Sequence, residues 1–295
     1  MKNKTLSFLF LCVVLLFIVS YGMNWITIKY NSNKNSIKKN ESKVAMNIKD
    51  DKKDRNLISA SISPTEEDVT DKEALSIASI ARLDVNTIIN TKNISDAELE
   101  SYFYAEEVPD DVFERMYCLS YKKNCTVPLS DLNYVRVLYY GFDDKTHIGE
   151  LVVNRQIADD TINIMRELYH AKYPIERMQL IDDYSADDEK SMTANNTSCF
   201  NYRSIAGSKK LSKHSEGLAI DINPFYNPYV KTVDGKEIIS PLQGVTYADR
   251  SLKLPYLIKE NDVCYQTFHK YGFTWGGSWH SLKDYQHFEK DLSSN

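Results

Sequence analysis

Two short segments hold the residue types that a hydrolytic centre needs. The first is Ser212-Lys213-His214-Ser215-Glu216-Gly217-Leu218-Ala219-Ile220-Asp221, and the second is Asp284-Tyr285-Gln286-His287. Two histidines and an aspartate are the ligand types of a catalytic zinc site that keeps its fourth position for water. An aspartate three residues before His287 is placed to work on that water. His214 and Asp221 alone are a weak signal, because an isolated histidine is more often a surface or core residue. Their company strengthens it. Trp275 to Glu289 packs two tryptophans, two glycines and two histidines into fifteen residues, the composition of a built pocket.

The elements around these residues must bring them to one point. Gly217 permits a tight turn or a close backbone approach between His214 and Asp221. Leu218, Ile220 and Ile222 alternate with Ala219, Asp221 and Asn223, the pattern of a strand with one greasy and one more polar face. Asp221 is therefore expected opposite the core side chains, and Phe288 is expected to anchor a strand from which His287 faces the metal.

Ser95-x-x-Glu98 is a capping box that opens a helix toward Tyr104. A second short helix follows Pro109, from Asp110 to Tyr117. Tyr134 to Tyr140 and Ile148 to Val153 are β-rich, with a turn over Gly141 to Lys145, and predict a hairpin. Ile157, Ile162, Met165, Leu168 and Tyr169 predict a helix ending before Pro174. Ile175 to Ile181 is a strand candidate. Helices and strands mix without a regular βαβ rhythm, which predicts an α+β fold over a doubly wound sheet.

The N-terminus has a different character. Lys2 and Lys4 precede 24 uncharged residues, Thr5 to Ile28, enough to cross a bilayer as a helix. No clean small-x-small cleavage site follows, so residues 1–28 are expected to be an uncleaved signal anchor. Residues 29–73 are rich in Lys, Asn, Ser and Asp and read as a solvated tether. Lys29, Lys34, Lys38, Lys39 and Lys43 follow the span. Charge counting alone would leave the C-terminal part in the cytoplasm, although long domains translocate regardless of flanking charge. The formal net charge of −5 gives no basic footprint for nucleic acid. Cys12 lies in the apolar run. Of the other cysteines, Cys118 and Cys125 would close a short loop, and free buried thiols are the alternative for all four of Cys118, Cys125, Cys199 and Cys264.

SxHxxGxAxD followed by DxxHFE resembles the zinc D-Ala-D-Ala carboxypeptidase family. That family includes the D-alanyl-D-alanine peptidases of vancomycin resistance and phage L-alanyl-D-glutamate endolysins, and shares its fold with the hedgehog signalling domain. The resemblance covers roughly residues 130 to 291. It implies one Zn2+ per chain on His214, Asp221 and His287, with Asp284 as general base acting on a zinc-activated water. It also implies that Arg203, in Asn201-Tyr202-Arg203, holds a substrate carboxylate or the developing oxyanion. Some members carry Glu where this chain has Asp284, and the aspartate form is more like the endolysin and carboxypeptidase-like branch. Residues 130–295 are then the peptidase domain, an antiparallel sheet with flanking helices, and 74–129 a helical extension.

His280 and Ser198 are expected to contact substrate, Ser198 as part of a polar cluster with Asn195 and Asn196. Glu289 is expected either to orient a zinc-bound histidine or to be a solvated charge. Ser212 either bonds within the metal loop or caps it. Glu216 is expected to face solvent, and His147, His170 and His269 to be ordinary surface or helix residues.

Peptidoglycan stem peptides are the substrate this implies, with D-alanyl-D-alanine carboxypeptidase activity first and L-alanyl-D-glutamate endopeptidase activity second. Such a substrate puts the catalytic domain outside, facing the wall, on a single-pass anchor. A rival reading is a zinc-containing wall-binding module without catalysis. Asp284 argues against it, since a structural zinc has no use for a base beside it.

Overall fold

The computed structural model describes residues 83–205 and 207–292. The expected anchor and tether lie outside the described residues. Among the described residues no helix is long and apolar enough to cross a membrane. The described residues belong to one compact unit.

The expected hairpin is the backbone of the fold. Strands β3 (Leu132–Tyr140) and β4 (Thr146–Asn154) pair antiparallel along their whole length, Leu132 against Asn154 and Tyr140 against Thr146. Both strands are buried on both faces, so one layer must cover each side. Helix α3 (Ala158–His170) packs on one face through Ile162, Met165 and Leu168. Val112 and Met116 of helix α2 (Asp110–Met116), with Leu180, Phe200 and Tyr202, cover Leu132, Tyr134 and Val152 on the other.

The segment 74–129 is not simply a helical extension. Its described part adds β1 (Ile88–Ile89) beside β4 and β2 (Tyr104–Glu107) beside β3, completing a sheet of order β1-β4-β3-β2. The Ser95 capping box forms as expected, with Ser95 Oγ accepting from Glu98 N–H and the Glu98 carboxylate accepting from Ser95 N–H at 2.8 Å. Helix α1 (Asp96–Glu100) nevertheless ends four residues before Tyr104. The chain there is drawn into β2, where ladder bonds to β3 outweigh helix propagation.

The strand expected over Ile175–Ile181 shrinks to β5 (Arg177–Met178), which pairs parallel with β6 (Asn196–Thr197). Ile181–Tyr184 coils into a 3₁₀ turn instead. Helix α4 (Asp188–Thr193) lies between them.

The second half is built from very short strands: β7 (Ala219–Asp221), β10 (Thr274–Trp275) and β12 (His287–Glu289), in the order β10-β12-β7. Helix α5 (Val263–Lys270) precedes β10. A further sheet of order β11-β8-β9 joins β8 (Tyr229–Val233), β9 (Lys236–Ser240) and β11 (Lys283–Asp284). Leu218, Ile220, Ile222, Phe268, Phe273 and Phe288 of this half share one apolar core with the β3–β4 hairpin and α3. The mixed helical and mainly antiparallel content is that of an α+β fold. All four described cysteines are free thiols, Cys118 exposed and Cys199 and Cys264 buried, so the short Cys118–Cys125 bridge is not formed.

Candidate metal centre

Strand register brings distant residues together. Asp221 in β7 stands directly opposite His287 in β12, and Ile220 stands opposite Phe288. Directly opposed residues on antiparallel strands hold their side chains within contact distance. Phe288 points into the core, stacked on Phe268 with ring centroids 4.0 Å apart, so His287 points the other way. Asp221 is fixed from its other side by reciprocal backbone bonds with Ser198, at 3.1 and 2.9 Å. The expected contrast between two faces of this strand is weaker than its pattern, because Ala219 and Asn223 are as buried as Ile220 and Ile222. The more polar face is packed under other loops.

His214 arrives from a 3₁₀ turn, Lys213–Glu216, immediately before β7. Ser212 caps that turn, its hydroxyl oxygen accepting from His214 N–H at 3.3 Å. Gly217 ends it at φ +67°, in the left-handed region, and a Cβ there would lie 2.6 Å from the Asn154 nitrogen. Both demands select glycine. The same contact braces the turn on β4, since Asn154 N–H donates to Gly217 C=O at 2.8 Å. Glu216 pairs with Lys213 on the outer side.

His214, Asp221 and His287 each offer one ligand atom, and these atoms all lie within 4.8 Å of one another. His214 Nε2 is 3.3 Å from Asp221 Oδ2 and 3.2 Å from His287 Nδ1, and His287 Nδ1 is 3.1 Å from Asp221 Oδ1. The remaining ring nitrogens are also engaged: His214 Nδ1 with the Cys199 carbonyl at 2.7 Å, and His287 Nε2 with Glu289 at 3.0 Å. An N–H donated to each acceptor leaves a lone pair on the nitrogen facing the centre, the tautomer a metal ligand needs. Trp279 covers His287, with ring centroids 5.3 Å apart. The donor set, the small separation and the fixed tautomers fit a divalent zinc-like ion.

The electrostatics agree with a site built around a cation. Burial alone would raise the Asp221 carboxyl, but the imidazoles of His214 and His287 hold it well below the usual range. Burial would lower His287, yet its bonds to Asp221 and Glu289 raise it to about 10. The bond from His287 lowers Glu289. Without a metal, protons supply the positive charge that the carboxylates demand.

Asp284 is not one of the three clustered donors. Burial pushes its carboxyl up to about 6, with the Asp221 charge adding, while His287, the Gln286 amide and His214 pull it back. A bend over Tyr285 and Gln286 separates β11 from β12. Gly276 makes this possible: a Cβ there would lie 2.7 Å from the Asp284 carbonyl and 2.9 Å from its Cβ.

Arg203 forms an ion pair with Asp188. Its backbone is laced to the metal loop, Arg203 N–H donating to Ser215 Oγ at 2.8 Å and Ser212 N–H to Arg203 C=O at 3.0 Å. Ser198 lies beside Asp221 through the backbone bonds above, and Asn195 and Asn196 are buried in hydrogen-bonded networks. His280 is exposed and lines a cleft of about 490 Å³ with Lys283, Tyr285 and Glu237. His280 is not one of the three clustered donors. His147 pairs with Asp143, while His170 and His269 are exposed.

Some contributors escaped the motif reading. The Cys199 carbonyl is a backbone group that no residue type announces. The β8–β9 hairpin did carry a signal: Asp234-Gly235, both at positive φ, between two β-rich runs. It matters because β8 pairs with β11, Tyr229 against Asp284.

Residues 206–290 match the model of a family described as D-alanyl-D-alanine carboxypeptidase. His214, Asp221, Asp284 and His287 fall inside the matched segment, whereas Ser198 and Arg203 precede it. No curated protein and no solved structure matches the chain. Over residues 206–290 the chain is thus similar to the D-alanyl-D-alanine carboxypeptidase family, the family that its two motifs resemble.

Proposed function

We propose that this protein is a zinc-dependent peptidase that acts on peptidoglycan stem peptides, as a D-alanyl-D-alanine carboxypeptidase. The observation that carries this reading is the convergence of His214, Asp221 and His287, with Asp284 beside them, inside the segment that matches the family. His214 Nε2, one Asp221 oxygen and His287 Nδ1 would hold the ion. A zinc ion there supplies a Lewis acid that polarises a carbonyl and lowers the pKa of water to about 7.

The chain's own residues do the rest. Asp284 takes a proton from the attacking water and returns it to the leaving amine. A carboxyl raised to about 6 is poised for both transfers near neutral pH. Arg203 exchanges Asp188 for a substrate carboxylate, which its planar fork can grip through two bonds. Cys199 and Glu289 hold the two imidazoles in register. The apolar N-terminal run and polar tether are proposed to keep this domain at the outer membrane face beside its polymeric substrate.

A synthetic stem pentapeptide holding both the L-Ala–D-Glu and the D-Ala–D-Ala bonds tests the activity by mass analysis with the full-length, zinc-loaded protein. Loss of one terminal D-alanine is expected. Cleavage after L-alanine would reassign the bond to the endopeptidase type. An intact peptide would leave a binding module without catalysis. Protease added to intact wall-stripped cells should remove the C-terminal domain, and protection until lysis would overturn the outward placement.

A further inference from the structure

Gln286 lies between the base and the last metal ligand, and the reaction outlined above assigns it nothing. Its side chain is buried, at 3 % exposure. Its Nε2 donates to Asp284 Oδ1 at 3.1 Å and to Met192 Sδ at 3.4 Å. Its Oε1 is buried and has no hydrogen-bond partner. The opposite amide orientation would set that oxygen against a carboxylate oxygen, two acceptors face to face. The carboxylate therefore dictates the amide's orientation, and the amide keeps it while leaving its own acceptor unmatched.

A side chain that only filled this space would be better as methionine or leucine, which bury no unmatched acceptor. The position itself does not need the amide. Gln286 C=O accepts from Ile222 N–H at 3.0 Å, which pins the backbone next to Asp221 whatever the side chain. What the amide adds is a grip on one oxygen of Asp284. The other oxygen, Oδ2, accepts no hydrogen bond among the described residues.

We propose that Gln286 is a positioning residue: its N–H fixes Oδ1 of Asp284 and so aims Oδ2 at the reacting water. This rests on the reading of Asp284 as the base. A carboxylate free to rotate about its terminal bond presents the reactive oxygen for only part of the time, and small misplacements of a base lower turnover strongly. An outer partner of this kind typically accounts for about 10–100-fold in activity.

The test compares full-length, zinc-loaded wild type, Asp284→Asn, Gln286→Met and the double variant on the stem pentapeptide holding both bonds, scoring either product. Zinc content and melting temperature are measured on all four. Gln286→Met should lower kcat about 10–100-fold, with KM and zinc content unchanged and the melting temperature equal or raised. In the Asp284→Asn background the same substitution should produce no further fall, because there is no ionised base left to aim. Equal losses in both backgrounds, unchanged kcat, or a melting temperature and zinc content that fall together would each overturn the proposal. Gln286→Leu gives the same readings if Gln286→Met does not fold, and failure of both to fold would show a structural residue. Failure of the underlying reading looks different: wild type then leaves the peptide intact, or Asp284→Asn turns it over normally, and the inference falls with it.

Discussion

Two carboxylates, one buried and one nearly so, are held in opposite ways in two parts of this molecule. Glu150, in the middle of β4, accepts from Arg115 Nη1 and Nη2 at 3.0 and 2.6 Å, from Tyr134 Oη at 2.7 Å and from Leu180 N–H at 3.3 Å. Asp221, in β7, is balanced by two imidazoles. Arginine keeps its charge at every accessible pH, so Glu150 has a partner whose charge is fixed. Imidazoles gain and lose protons near neutrality and ligate metals through the same lone pair, so the Asp221 cluster has a partner it can exchange. The hairpin region spends its buried charge on joining α2 to the sheet. The short-strand region keeps its charge available for an ion.

Removing each carboxylate should separate these roles. Asp221→Ala takes away a ligand and the charge that holds both histidines. Zinc content should fall from about one per chain to below detection, with peptidase activity lost, while the apolar core keeps the fold. Glu150→Ala should do the reverse. It leaves Arg115, Tyr134 and the Leu180 amide without their acceptor and should cost about 3 kcal/mol, at the low end for breaking a buried pair because Arg115 is 37 % exposed. Urea unfolding with zinc analysis of the folded fraction checks both. Full zinc in Asp221→Ala, or zinc lost from folded Glu150→Ala, would erase the contrast.

The two regions also differ in how legibly their sequences describe them. The β3–β4 hairpin and α3 could be read from composition and period, because long elements average over many residues. The capping box at Ser95 was equally visible, but not the point where its helix stops, since β2 captures the chain through pairing partners some thirty residues away. In the short-strand region no element is long enough to show a period. What could be read there was chemistry: ligand types at fixed spacing, Gly217 and the Trp275–Glu289 composition. Invisible were the register that opposes Asp221 to His287, and the Cys199 carbonyl behind His214. Both are backbone relationships, set by the fold and not by the identity of a side chain. The sequence also left Glu289 open between two roles, and the 3.0 Å contact with His287 Nε2 supplies the geometry for orienting that imidazole.

Glu289→Gln sharpens the comparison by touching only the exchangeable cluster. The substitution keeps a possible acceptor but removes the charge that makes His287 a stronger donor to an ion. Zinc affinity should weaken about 10–100-fold, as for other outer partners of ligating histidines, and the metal-free protein should lose the stability contributed by the His287–Glu289 ion pair. Competition with a chelator of known affinity measures it. An unaltered affinity would return Glu289 to a plain solvated charge.

The smallest effect concerns the proton that stands in for the metal. In the metal-free site His287 is raised to about 10, above its ordinary 6.5, so the folded chain holds a proton that the unfolded chain sheds earlier. That contribution to stability is fully present below about pH 6.5 and is lost as pH rises toward 10. Zinc must displace the same proton to reach Nδ1. Between pH 6 and 8 this one site should therefore weaken the apparent zinc affinity about tenfold for each unit of acidification. The released proton should appear in calorimetry as a binding heat that varies with the ionisation enthalpy of the buffer. The Arg115–Glu150 cluster offers no such exchange. A wild-type affinity flat across this range would show that the metal site already holds its ligands neutral, and that the contrast between the two carboxylates lies in geometry alone.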